Sequence, residues 1–295
     1  MSDYVIALIA GIVEGLTEFL PVSSTAHIVI TQKLLGIELS SPFWKMFTVV
    51  IQLGAILSVV VFFHKRIVGF FQSFWAAFRG LHPVDEKDAN TDSIPVAHPS
   101  KHWLTHPLSL VLISFVVTAI PCFLMDKWIG ENLESPTVIG IALIVGGIVM
   151  VLIDLLFSKG AQTERMEDMT LSQAIVIGSA QILAATFPGT SRSMSTIAGG
   201  QVMGLTRTTA LEFSFFLSIP VMFAASGFKL IQFLVKEPIA LSSSQWLTLA
   251  IGFTTSFFVA LIVIAWFMGW VRKHGFIPFA IYRVVVGMAV LAWLR

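Results

Sequence analysis

The sequence predicts an all-α integral membrane protein with six full transmembrane helices and two re-entrant helix-loop-helix elements in an inverted-topology repeat. Three observations point there. The 295 residues are 56% hydrophobic and only 12% charged, against roughly 25% charged in soluble domains, and the mean hydropathy is +0.87. Apolar runs long enough to cross a bilayer recur along the chain. Two stretches join a proline to clustered polar groups and echo each other: EGLTEFLPVSSTAH, Glu14 to His27, and QILAATFPGTSRSM, Gln181 to Met194.

These two stretches align without a gap at an offset of 167, setting Pro188 against Pro21, Ser191 against Ser24 and Arg192 against Thr25. Gly11 pairs with Gly178 and Leu16 with Leu183. Each copy reads as helix, break, polar loop, helix, because a proline disfavours helix at the residue before it and a serine-threonine run caps the next helix. The first apolar piece, Tyr4 to Leu20, is interrupted by Gly11, Glu14, Gly15 and Glu18. It is short for a span and is expected to be half of a re-entrant pair, with His27 to about Gly36 returning. Non-helical backbone at membrane depth is tolerated only where it lines a buried or watery cavity.

Phe47 to Phe63 is the first full span, closed by His64-Lys65-Arg66. Ile67 to Phe78 is too short to cross and is expected at the interface, and Leu81 to His106 is a polar surface loop. Spans follow at Pro107 to Met125 and Val138 to Phe157, then the second broken element, Leu171 to Gly204. Leu211 to Val235, Trp246 to Trp270 and Phe276 to Leu294 complete the six. The single membrane domain thus divides into 1–157 and 171–295, each a re-entrant pair plus three spans. An odd number of crossings makes the second half enter from the opposite side. One side collects Lys65, Arg66, Arg79, Lys87, Lys101, Lys159, Arg165, Arg207, Arg272 and Lys273. By the positive-inside rule that side is cytoplasmic and both termini are outside.

Several classes fall away. A net charge of +1 without a basic, aromatic-interleaved patch excludes nucleic acid as a partner. The lone Cys122 cannot form an internal disulfide. The N-terminus lacks a basic region and cleavage site, so the first helix is expected to stay. His98, His102 and His106 recur every four residues, but Pro99 and Pro107 break the helix that would make them a metal site. Asp154, near a span end, is expected to reach the interface, and Gln52 and Gln181 to bond between helices.

Ionisable groups inside a membrane cost about 2.5–3.5 kcal/mol each on insertion scales and default to function. Glu14 and Glu18, four apart, share a helix face, and with His27 and Arg192 they fall in the two broken elements. If the two loops meet, the four converge. A neutralising Glu18–Arg192 ion pair is the plain alternative, but it leaves Ser23, Ser24, Thr25, Thr190, Ser191 and Ser193 unexplained. Arginine, hydroxyls and helix N-termini together suit a phosphate, and Gly189 is expected to let backbone approach it. The acids would then hold a divalent cation or move protons. His27 would serve as acid or base, or activate a serine. The residues do not choose among these.

These motifs resemble the integral-membrane undecaprenyl-diphosphate phosphatases, also called bacitracin-resistance proteins. The likeness covers essentially the whole chain and is sharpest at EGLTEFLPVSSTAH and PGTSRS, with FTVVIQLGAILSVVVFF and EFSFFLSIP in support. It implies hydrolysis of undecaprenyl diphosphate to undecaprenyl phosphate and inorganic phosphate, recycling the lipid carrier for cell-wall synthesis. It also implies a divalent cation, Mg²⁺ or Ca²⁺, and a multi-pass protein of the bacterial plasma membrane with its site toward the periplasmic face. The acidic motif maps onto Glu14 and Glu18, the serine-histidine segment onto Ser23 to His27 and the arginine motif onto Pro188 to Ser193; Ala26 and Thr190 vary in the family. The expected catalytic set is therefore Glu18, His27, Ser24 and Arg192, with Glu14 and Glu18 on the metal. Ser23, Thr25, Gly189, Thr190, Ser191 and Ser193 are expected to bind substrate. Ser24 is the expected nucleophile if a covalent step exists, with direct attack by water open. A secondary transporter or flippase for a prenyl phosphate is the competing reading. Oligomeric state is left open, a homodimer included.

Overall fold

The computed structural model describes residues 1–37, 41–79, 103–132, 135–236 and 241–293. Among them are eleven α-helices: α1 (Asp3–Thr17), α2 (Ser24–Leu34), α3 (Pro42–Phe62), α4 (His64–Phe78), α5 (Pro107–Asn132), α6 (Pro136–Phe157), α7 (Leu171–Thr186), α8 (Arg192–Val202), α9 (Arg207–Lys236), α10 (Ser243–Lys273) and α11 (Ile277–Trp293). Most of the expected polar loop, including His98 and His102, lies outside the described residues.

Five helices, α3, α5, α6, α9 and α10, are long and apolar enough to cross a membrane. The chain is an integral membrane protein, and its packing has the inverted polarity that lipid imposes. Leu112, Ile120, Leu156, Ile262 and Ile281 are exposed, while Glu14, Asp154, Arg283 and many hydroxyls are buried. The sixth expected span forms α11, which has 17 residues over the described region. At about 1.5 Å per residue that is shorter than a core of about 30 Å. The apolar piece after α3 forms α4, 15 residues and too short to cross.

Both expected breaks are present. α1 stops at Thr17 and α2 starts at Ser24; α7 stops at Thr186 and α8 starts at Arg192. Each restart is capped by a serine with positive φ, Ser23 at 74° and Ser191 at 77°. Each cap hydroxyl accepts a backbone N–H three residues on, from Ala26 at 3.4 Å and from Met194 at 3.3 Å. This corrects the gapless alignment. The cap equivalent to Ser191 is Ser23, so the second break carries one more residue after its proline, and Gly189 takes φ 100° there. Ser24 and Arg192 then occupy the same position, the first residue of their helices.

Before the breaks the alignment keeps its register. α1 packs on α10 and α7 on α5, each crossing made close by a glycine. A Cβ on Gly11 would lie 2.7 Å from the Gly252 carbonyl, and one on Gly178 would lie 2.6 Å from that of Ser114. Ser256 donates to Ile51 O at 2.7 Å, joining α10 to α3. Ser114 donates to Ala174 O at 2.6 Å, joining α5 to α7.

One end of the bundle is tied by charge. Asp154 accepts from Arg207 Nε at 2.7 Å, Gln201 at 3.2 Å and the Phe276 backbone N–H at 3.1 Å. Arg66 donates to Glu212 and, at 3.3 Å, to Glu167. Asp154 is 1% exposed: its carboxylate turns inward to three donors, which satisfy it there.

Candidate active site

The two breaks meet. Ser193 Oγ, in the first turn of α8, donates to the Leu20 carbonyl in the first break at 2.9 Å and shares a hydrogen bond with Ser191 Oγ at 3.0 Å. Arg283, on α11 and fully buried, donates to Pro21 O at 3.0 Å, Gly189 O at 3.1 Å and Ala142 O at 3.2 Å. One guanidinium thus staples both loops to α6. No carboxylate pairs with it among the described residues. Sequence reading missed Arg283, although an arginine well inside an apolar run is the signal that flags an intramembrane functional residue.

Glu18 is the hub. Its Oε2 accepts from Ser24 Oγ at 2.5 Å and its Oε1 from Arg192 Nη2 at 3.1 Å. The first residues of the two restarted helices therefore converge on one carboxylate. The short hydroxyl bond is of the charge-assisted kind. Arg192 also donates to Ser214 O at 3.2 Å, and its buried Nε has no partner among the described residues. Its guanidinium lies 5.8 Å from the Phe19 ring centre. Thr196 backs the arginine, donating to the Ser214 hydroxyl at 2.6 Å.

These groups face a cavity of about 530 Å³. Glu18, Ser23, Ser24, Thr25, Gly189, Ser191 and Arg192 line it at one end, where α2 and α8 begin. Backbone N–H groups at helix N-termini lack intrahelical partners and attract anions. The rest of the wall is mostly apolar, including Phe115, Phe123, Val221, Met222 and Phe228 from α5 and α9. Gln52 and Gln181 add amides, and Gln52 accepts from Ser226 at 3.0 Å, the expected interhelical bond.

Four sequence candidates are not in the wall among the described residues: Glu14, His27, Thr190 and Ser193. Ser193 is spent on Leu20 O. His27 has both ring nitrogens engaged, Nδ1 with Ser23 O at 2.7 Å and Nε2 with Tyr282 Oη at 2.7 Å, its ring stacked on the tyrosine at 5.5 Å. A carbonyl only accepts, so Nδ1 carries the proton. Gly189 does line the cavity, but a Cβ there would meet Ile139 O at 2.7 Å. Its close approach is to α6.

Among the described residues no group of three or more His, Cys, Asp or Glu side chains gathers as an all-protein metal cage. Mg²⁺ commonly takes one or two carboxylates and completes its shell with substrate phosphate and water. Glu14 and Glu18 are both buried, and Glu14 Oε1 has no partner among the described residues. Two buried carboxylates, one with an unpartnered oxygen, are donor chemistry that such a cation would use.

A family model described as bacitracin resistance protein BacA matches residues 7–289. The undecaprenyl-diphosphatase of Koribacter versatilis (strain Ellin345) is 51% identical over 301 residues, covering 99% of each chain. That of Caldanaerobacter subterraneus subsp. tengcongensis is 41% identical over 285 residues, covering 97% of this chain and 94% of its own. That of Novosphingobium aromaticivorans is 40% identical over 297 residues, covering 100% and 99%.

Proposed function

Since this chain belongs to the BacA family of bacitracin resistance proteins and is an undecaprenyl-diphosphatase, we propose that its reaction runs on Ser24, Glu18 and Arg192. The carrying observation is that Glu18 holds the hydroxyl and the guanidinium on its two oxygens. In this reading the terminal phosphate of undecaprenyl diphosphate enters between the starts of α2 and α8. Arg192 turns from Glu18 to the phosphate oxygens, which match its planar fork. Glu18, freed of one partner, takes the proton as Ser24 Oγ attacks the terminal phosphorus. The bond to the bridging oxygen breaks, undecaprenyl phosphate leaves, and water then releases inorganic phosphate from the serine. Thr25, Ser191 and the helix N-termini donate to the phosphoryl oxygens as charge builds. His27 acts on the site through backbone, since its bond to Ser23 O holds the turn that aims Ser24.

Glu14 and Glu18 would hold the divalent cation, which when bound offsets the repulsion between carboxylates and diphosphate. Thorough chelation with EDTA is expected to stop phosphate release and added Mg²⁺ or Ca²⁺ to restore it. Unchanged turnover would remove the cation. The covalent step is tested by acid-quenching the enzyme during turnover of terminally ³²P-labelled substrate. Label on Ser24 is expected; none at any time, with Ser24→Ala still active, would leave water as the attacking group.

The isoprenoid tail has a route. The apolar wall runs between α5 and α9, each broken in its hydrogen bonding by an internal proline, Pro121 and Pro220. Phe123 and Phe228, both exposed to the lipid side, meet edge to face there at 5.7 Å. We read this seam as the lateral entrance. We also read the chain as an inverted repeat, 1–157 and 171–295, with α1–α2 and α7–α8 re-entrant and α11 as the sixth span. The paired caps and the paired glycine crossings support that reading. The cavity draws on the middle of α5 and the stretch of α9 from Val221 to Lys229, away from the Arg66, Arg207 and Asp154 ties, which the charge rule puts in the cytoplasm. A site open to the outer face follows. Cysteines placed in the loop 81–106 are expected to resist impermeant thiol reagents in intact cells; labelling from outside would reverse the orientation.

A further inference from the structure

Four glutamines are buried in the described structure, and three are bonded. Gln32 donates to Thr48, Gln173 to Thr163 and the Met203 carbonyl, and Gln201 to Asp154. The fourth, Gln181 on α7, is 2% exposed, and among the described residues neither its Nε2 nor its Oε1 has a hydrogen-bond partner. Buried amides left unpaired at both ends are rare enough to call for a ligand or a role. Gln181 lines the same cavity as Glu18, Ser24 and Arg192. It lies three residues after Gly178, as Glu14 lies three after Gly11, so it holds the counterpart of the acid position as a neutral amide.

The remaining polar wall splits by function. Arg192, Lys229 and the hydroxyls can donate to phosphate oxygens, Glu18 can only accept, and the other wall amide, Gln52, already spends its Oε1 on Ser226. An amide presents one donor beside one acceptor. A phosphate bearing one proton presents the complement, an unprotonated oxygen next to a P–OH. A carboxylate at this place would add a second negative charge, beside Glu18, facing an anion.

We propose that Gln181 is a substrate-binding residue that takes the terminal phosphate in its singly protonated form, Nε2 donating to a P–O oxygen and Oε1 accepting from the P–OH. This rests on the reading of the cavity as the diphosphate site. The test uses the full-length enzyme in detergent, undecaprenyl diphosphate as substrate and inorganic phosphate as inhibitor. Gln181→Met, of similar length and without hydrogen-bonding groups, is expected to raise KM and the phosphate inhibition constant about 10-fold, two modest hydrogen bonds. Its ligand-free melting temperature should be unchanged or higher, because the amide satisfies nothing in the protein. Gln181→Glu is expected to weaken phosphate inhibition further, by like charge. Wild-type KM and inhibition in Gln181→Met would overturn the proposal. So would a lowered ligand-free melting temperature in that variant, whatever its kinetics, since that marks a structural amide. If the wild-type enzyme itself released no phosphate, the underlying diphosphate reading would fail instead, and the two failures are distinct.

Discussion

The two helix breaks differ less in shape than in chemistry. Both end a short helix at a proline-containing turn and restart it on a serine with φ near 75°, 74° in one and 77° in the other. At the first residue after the cap one copy carries a hydroxyl and the other a guanidinium, and both reach Glu18. The backbone device is duplicated, while hydroxyl and guanidinium, nucleophile and clamp in the proposed reaction, are divided between the copies. A repeated scaffold brings two helix N-termini to one point, and the side chains there are free to specialise because the caps already hold the turns.

Breaking that division should have effects in a definite order. Ser24→Ala is expected to have the largest, a loss of kcat of about 10³-fold or more if the hydroxyl is the nucleophile. A loss under about 10-fold would reduce Ser24 to a partner of Glu18. Arg192→Ala should lower kcat/KM by about 10²–10³-fold, the range for removing one fixed donor from a transition state. Arg192→Lys should recover only part of it, since an ammonium cannot offer the fork; full recovery would mean that charge alone matters. Arg283→Met tests what holds the copies together. It strips donors from Pro21, Gly189 and Ala142 carbonyls, each worth about 1–3 kcal/mol when left buried and unsatisfied, and with relief of the buried cation in partial offset it is expected to lower stability in detergent unfolding by about 2 kcal/mol or more. An unchanged melting curve would show that the loops need no staple. The smallest effects are expected at the caps. Ser23→Gly loses one side-chain bond and Ser191→Gly two, but both suit positive φ, so stability should shift by only about 1 kcal/mol, a little more at Ser191. A large loss at one only would show the duplication to be superficial.

His27 and Glu14 show how far residue chemistry reads from a line of letters. Both belong to the motif, His27 expected as acid or base and Glu14 on the metal. The structure turns the imidazole to Tyr282 and the Ser23 carbonyl, and buries Glu14 beside the cavity wall instead of in it. A motif tells which groups share a neighbourhood; which way each points depends on helices far off in the chain, here α11. The one-residue shift between the copies was hidden for the same reason. A gapless alignment cannot see that Gly189 absorbs an extra residue with φ 100°.

By itself the sequence determined what hydropathy, proline and charge decide locally. It settled a membrane protein, the places where two helices break, and the polar groups gathered at those breaks, because each of these depends on residues within a few turns of one another. Only the tertiary structure decided that Glu18 would receive Arg192 from 174 residues away, that Arg283 would bind both loops, and that Asp154 would be buried under three donors. Such contacts arise where packed helices cross, and in a bundle whose every span is apolar, nothing in a single helix's pattern says which neighbour it will meet.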